Sequence, residues 1–250
     1  MRKPIDRGTH GYLHSMQTGS VVDGPGMRTV LWLTGCMLRC LYCHNPDTWH
    51  MKDGRYVSID EVMEEIEKYR RFMAITRGGV TISGGEPMVQ APFVSSIFRE
   101  CKQRDIHTVL DTNGVLTDRF SDEDFEAVDL VLLDIKSFDR ETHLRTTGHD
   151  VQPVLDFARR LERLKQPTWI RFVLVPGLTD GVENVDGLAK FVSTLTNIER
   201  VEVLPFHQMG ANKWAKLGRP YPLKKTMPPS PDLIERVLRQ FRRHGVEAHC

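Results

Sequence analysis

Two rhythms of apolar residues alternate along the chain. Short, nearly continuous apolar runs of strand length occupy residues 29–33, 80–83, 108–111, 130–134, 169–175 and 200–205. Between them, apolar positions recur at helical spacing. Over 59–72 this places Ile59, Val62, Met63, Ile66 and Tyr69 on one face, and the same pattern marks helices over 92–103, 153–164 and 182–194. A last helix is predicted over 231–244, with Ser230 as its N-cap, Pro231 at the first position and Gly245 as its stop. Six β/α units in series predict a parallel sheet with right-handed crossovers. Eight would close a full barrel, so the predicted class is α/β, a partial, open (β/α)6 TIM-like barrel.

The residues with chemical character fall just after these strands. Cys36 follows the first, Gly84-Gly85-Glu86 the second and Asp111-Thr112-Asn113-Gly114 the third. Asp134-Ile135-Lys136 ends the fourth, and Pro205-Phe206-His207 ends the sixth. All are thereby expected at the C-terminal face of the sheet, where barrel enzymes assemble their sites. Asp134 and Lys136, two residues apart at a strand end, share a face and can meet one ligand or each other.

Composition narrows the function classes. Acidic and basic residues nearly cancel, 33 against 34, so no broad field favours nucleic acid or an anionic membrane. The basic run Lys213, Lys216, Arg219, Lys224 and Lys225 reads as ordinary solvated surface. Residues 1–20 carry no apolar secretory stretch, and no run reaches the roughly 20 apolar residues of a membrane span. A cytoplasmic location is expected, where thiols stay reduced and clustered cysteines read as metal ligands rather than disulfides.

Of five cysteines, three crowd the run Cys36-Met37-Leu38-Arg39-Cys40-Leu41-Tyr42-Cys43. Cys40-Leu41-Tyr42-Cys43-His44 matches the pattern of covalent haem attachment, but that would leave Cys36 unused and belongs to exported proteins. Zinc is the better rival, since His44 would complete a tetrahedral shell. Structural zinc, however, usually draws two ligands from each of two turns. Three thiolates can also hold an iron–sulfur cluster and leave one iron open for chemistry. Met37, Leu38, Leu41 and Tyr42 would then shield it from water, with Arg39 placed to offset its charge.

The chain resembles the radical S-adenosylmethionine enzymes, through its C-x-x-x-C-x-x-C loop after the first strand and Gly-Gly-Glu after the second. More narrowly it is similar to the glycyl-radical-enzyme activases. Asp23-Gly24-Pro25-Gly26-Met27-Arg28, continuing through Gly35-Cys36 to Tyr42-Cys43-His44-Asn45-Pro46, is close to their signature. The similarity runs from about Gly11 to the last helix, through Trp169-Ile170-Arg171 and Leu204-Pro205-Phe206-His207. Residues 1–10 read as an N-terminal extension and 11–250 as a single domain that includes the C-terminal helix. Trp32 stands where a Phe is common. No spare cysteines remain for an inserted ferredoxin-like segment, which favours the branch acting on pyruvate formate-lyase.

The resemblance implies a 4Fe-4S cluster on Cys36, Cys40 and Cys43, with S-adenosylmethionine on the open iron. It implies Gly84, Gly85 and Glu86 beside the methionyl moiety and its amino group, and Asp134, Ile135 and Lys136 near the ribose and carboxylate. Tyr42, His44, Asn45, Val173 and His207 would line the adenine, and Arg171 would be a further cofactor contact. Asp111 and Thr112, with Asp134, would hold a monovalent cation, and Asp23 would touch the glycine loop of the protein substrate. A flavodoxin-type electron donor is the further partner implied. A turn begun by Asp-Thr-Asn-Gly explains the third-strand motif equally well, and a tight turn explains Asp23.

Overall fold

The computed structural model describes residues 8–250. Among the described residues the strands are β1 (His10–Ser20), β2 (Arg28–Leu33), β3 (Arg55–Ser58), β4 (Gly79–Gly84), β5 (His107–Thr112), β6 (Leu130–Asp134), β7 (Thr168–Leu174), β8 (Ile198–Pro205) and β9 (Ala248–His249). The helices are α1 (Ile59–Glu67), α2 (Arg70–Ile75), α3 (Ala91–Gln103), α4 (Arg140–Thr147), α5 (Gln152–Arg163), α6 (Val182–Val192), α7 (Ala211–Lys216) and α8 (Pro231–Arg243). The strand order is β3-β1-β2-β4-β5-β6-β7-β8-β9, so the sheet ends in two edges and does not close. This is the open α/β class expected. β2, β4 and β5 run parallel, as do β7, β8 and β9, while β1 is antiparallel to both β2 and β3.

The chain divides into two compact units, with the division falling inside β6. The first takes the described residues up to Met37, with Thr48–Thr112 and Leu116–Leu132. Its strands bury Val30, Leu31, Leu33, Val80, Ile82, Val109 and Leu110, the near-continuous apolar runs of a sheet covered on both faces. The second takes Leu38–Asp47, Asn113–Val115 and Leu133–Cys250, and Ile170, Phe172, Leu174, Val201 and Val203 fill its core.

The six predicted strands are all present, and β1, β3 and β9 are additional. β1 was hidden by its composition, because HGYLHSMQTGS buries only Gly11, Leu13 and Ser20. His10 is the first residue of β1, and residues 1–7 of the expected extension lie outside the described residues. The single helix expected over 59–72 is two. α1 starts in a capping box, with the Glu61 amide donating to Ser58 Oγ and Glu61 accepting from the Ser58 amide. The chain breaks at Lys68-Tyr69 and re-phases, burying Met73 and leaving Phe72 outside. α4 was not foreseen, although Asp139 caps it and Gly148, at φ 83°, ends it.

Candidate functional site

In the first unit, Cys36, Gly84, Gly85, Glu86, Asp111 and Thr112 lie at or just past the C-terminal ends of β2, β4 and β5. The Cys36 amide donates to the Trp49 carbonyl at 3.1 Å, and the Glu86 amide to the Gly35 carbonyl at 2.7 Å. Gly84 and Gly85 are required by the chain's own packing. A Cβ on Gly84 (φ 122°) would fall 2.2 Å from the Leu33 backbone, and one on Gly85 2.3 Å from the Gly35 carbonyl oxygen. The β4 turn is thus pressed against the root of the cysteine loop. Glu86 is fully buried, and its Oε1 accepts from the Met88 amide at 3.0 Å and the Thr112 hydroxyl at 2.8 Å.

Asp111 accepts from the Ser83 hydroxyl at 2.6 Å. Thr112, its neighbour on β5, turns instead to Glu86, as alternation along a strand requires. The two side chains expected to share a cation therefore diverge. Asp23 lies at the other end of the strands. It sits before Arg28, the first residue of β2, about 17 Å of strand from Leu33. The Ser20 hydroxyl donates to its buried carboxylate, and its carbonyl accepts from the Thr81 hydroxyl at 2.7 Å. Within this unit Asp23 is a turn-forming residue remote from Cys36.

In the second unit, the segment after Met37 runs beside the end of α4. The Arg39 and Leu41 amides donate to the Thr147 and Thr146 carbonyls, each at 2.9 Å, and the Cys43 amide closes a turn onto Cys40 at 3.0 Å. Cys40 is buried, and burial pushes its thiol up to about 12 against the opposing pull of Lys136. Lys136 reaches Asp134 at 2.6 Å, with side-chain exposures of 13% and 21%. Burial alone would lower the Lys136 ammonium, but Asp134, Tyr42 and Cys40 outweigh it and hold the group well above its ordinary value. The ammonium also stands 5.9 Å from the Tyr42 ring centroid. Arg39, expected to offset cluster charge, is exposed and donates to the Leu38 carbonyl at 2.8 Å; the buried cation beside Cys40 is Lys136.

Two of the adenine candidates of this unit meet. His44 and His207 lie edge to face at 5.1 Å, both exposed. Burial, then His207 and Lys213, lower the His44 imidazole. Asn45 Oδ1 accepts from Lys213 at 2.7 Å. Val173 is half-buried, and its carbonyl accepts from the Thr179 hydroxyl at 2.8 Å. Ile135 is buried, and its amide donates to the Arg171 carbonyl at 3.0 Å. Arg171 is itself buried and its guanidinium donates to Glu202, its register partner on β8, at 3.1 Å.

Two residues of consequence were missed by sequence reasoning. Lys213, read as solvated surface, ties Asn45 and Asp47, and Trp214 donates its indole N–H to the Cys43 carbonyl at 2.9 Å. The available signal was Trp214, an aromatic among basic residues.

No three His, Cys, Asp or Glu side chains among the described residues converge on one point as a single metal ion would require. A cluster makes a different demand: several thiolates, a nearby cation and polar groups awaiting a ligand. Three thiols within eight residues supply the donor set. Lys136 supplies charge beside Cys40, and the buried Tyr42 hydroxyl has no hydrogen-bond partner among the described residues. These residues fit a three-thiolate cluster with an adjoining polar ligand.

The Radical SAM superfamily profile matches residues 30–192. A pyruvate formate-lyase-activating enzyme of Staphylococcus epidermidis (strain ATCC 12228 / FDA PCI 1200) is 44% identical over 242 residues, which cover 94% of this chain and 96% of that one. Among solved structures, a domain of pyruvate-formate lyase-activating enzyme from Bacteroides vulgatus ATCC 8482 aligns with TM-score 0.58 at 25% identity, covering 69% of this chain and 98% of that one. Streptococcus suis SuiB bound to precursor peptide SuiA shares the fold, with TM-score 0.66 at 16% identity over 88% of this chain and 46% of that one. With the cysteine loop following β2 and Gly-Gly-Glu following β4, the chain belongs to the radical SAM superfamily and, within it, to the family of pyruvate formate-lyase-activating enzymes.

Proposed function

We propose that this chain installs the glycyl radical on pyruvate formate-lyase as its protein substrate. The observation that carries the reading is the group of buried Cys40 with half-buried Tyr42, Asp134 and Lys136, which joins a thiol of the cluster motif to an ion pair and a buried hydroxyl awaiting a partner. When bound on Cys36, Cys40 and Cys43, a 4Fe-4S cluster would supply the reductive cleavage of S-adenosylmethionine by which a hydrogen atom is removed from a glycine Cα. The chain's own residues bind, aim and exclude water. Cys36, Cys40 and Cys43 are the cluster ligands, and Lys136 offsets negative charge at Cys40. Gly84, Gly85 and Glu86 serve the methionyl and amino groups. Asp134 and Lys136 serve the ribose and carboxylate. Tyr42, His44, Asn45, Val173 and His207 serve the adenine.

Arg171 acts through Ile135, whose amide its carbonyl holds, because its guanidinium is committed to Glu202. Asp111 or Thr112 would hold a monovalent cation only singly, with backbone or ligand oxygens completing the shell. Asp23 would reach a glycine loop only if that loop approaches the Arg28 end of β2. Residues 11–250 act as one catalytic domain in the cytoplasm, served by a flavodoxin-type donor. No described helix is long and apolar enough to cross a membrane.

The test mixes anaerobically reduced protein, S-adenosylmethionine and pyruvate formate-lyase and looks for a glycine-centred EPR doublet with formation of 5′-deoxyadenosine. A doublet supports the reading. Cofactor cleavage with no doublet on pyruvate formate-lyase, but one on another glycyl radical enzyme, would move the substrate assignment. Stoichiometric zinc without iron would replace the enzyme by a non-catalytic metal module.

A further inference from the structure

The short helix α7 meets the cysteine loop at three successive places within the second unit. Gly210, just before α7, lies so close that a Cβ there would fall 2.9 Å from His44 Cα. Lys213 reaches Asn45 Oδ1 at 2.7 Å and the Asp47 carboxylate at 3.4 Å. Trp214, only 6% exposed, donates to the Cys43 carbonyl at 2.9 Å and packs against Tyr221 at 5.5 Å between ring centroids. Residues 210, 213 and 214 thus engage residues 43, 44, 45 and 47, immediately beyond the last cysteine.

We infer that Lys213 and Trp214 are positioning residues: they latch the segment Cys43–Asp47 to α7 and fix the third cysteine and the adenine-facing side chains as one body. The inference rests on the proposed function for what those side chains hold. The chemistry of each contact is directional. An ammonium has only donors, so Lys213 dictates that Asn45 turns its amide oxygen toward α7, which sets the orientation of the whole carboxamide. The same ammonium also pairs with the Asp47 carboxylate at 3.4 Å. The indole N–H has one direction of donation, so Trp214 fixes the Cys43 peptide plane and with it the bearing of the cysteine side chain. An outer contact that orients a ligand in this way is the usual means of tuning a metal centre.

Four variants of the anaerobically purified full chain test this. Lys213→Met keeps the aliphatic stem at a side chain that is 32% exposed, so the fold is retained. Trp214→Phe keeps an aromatic ring against Tyr221 but removes the donor and part of the buried ring volume. Hydrogen exchange of peptides covering residues 38–47 is expected to speed up about fivefold or more in both, with β4 and β5 peptides unchanged. In cluster-loaded protein, half-saturation by S-adenosylmethionine should rise about tenfold in Lys213→Met, the size of one lost charge-assisted hydrogen bond. Iron content and the rate at saturation should stay within about twofold of the parent, as expected when uniform binding is lost, and Lys213→Arg should restore affinity. Unchanged exchange and unchanged half-saturation in the Lys213→Met/Trp214→Phe double variant would overturn the latch. A parent protein that loads iron yet shows no response to S-adenosylmethionine would instead remove the proposed function, while the exchange comparison would still decide the latch.

Discussion

At Lys136 a single ammonium is asked to do several things. It neutralises Asp134 at 2.6 Å, lowers the cost of charge at Cys40 and lies over the face of Tyr42. Removing it leaves a largely buried carboxylate alone, which costs about 3 kcal/mol. Lys136→Met should therefore lower the urea midpoint by a corresponding amount. Asp134→Asn/Lys136→Met should recover more than half of that loss, because the charges disappear together. Equal midpoints for parent and Lys136→Met would show that the pair contributes nothing to folding. The Asp134–Lys136 pairing was legible from the two-residue spacing at a strand end. The role of Lys136 toward Cys40 was not: spacing favoured Arg39, and only burial shows that Arg39 faces solvent.

Elements were legible in proportion to how far local chemistry decided them. α8 is the clearest case. Ser230 accepts from the Leu233 amide at 3.2 Å, Pro231 opens the helix, and Gly245 follows it at φ 74°. Ser230→Ala should cost about 1 kcal/mol, read as a lowered denaturation midpoint, while Ser230→Asp should leave it nearly unchanged. A loss of the same size in both would place the effect elsewhere than the cap. The elements that escaped are those whose existence depends on distant partners. β1 is a strand because it pairs with β2 and β3, and α7 is a helix docked through Trp214. Neither has a strong period of its own, and so neither the β1 pairing nor the α7 latch could be read from periodicity. The break between α1 and α2 carries no Gly or Pro and was equally silent.

Within the first unit as a whole, Cys36, Glu86 and Asp111 lie toward the C-terminal strand ends and a different polar group anchors the opposite ends. Arg28, fully buried at the start of β2, donates to Val80 O at 2.6 Å, Thr81 Oγ1 at 3.0 Å, His107 O at 3.3 Å and His107 Nδ1 at 3.2 Å. Burial lowers its guanidinium to about 10, yet it remains charged at neutral pH. Because a guanidinium can only donate, His107 Nδ1 must accept and the imidazole must be neutral. Burial first, and Arg28 second, lower the His107 value; Asp129 opposes this and Lys102 adds to it. The sign follows. As pH falls below about 6.5 the unfolded chain takes up a proton that folded His107 refuses, so stability is full above that range and declines toward the lowered folded value. The thermal midpoint should accordingly fall between pH 7 and 5.5. In His107→Gln, whose side-chain carbonyl can still accept from Arg28, that fall should be smaller. His143 and His44 are lowered in the same sense and contribute to the parent's slope, so the quantity that decides is the difference between the two proteins. Identical slopes would mean that His107 titrates alike in the folded and unfolded chain and that its contact with Arg28 does not oppose protonation.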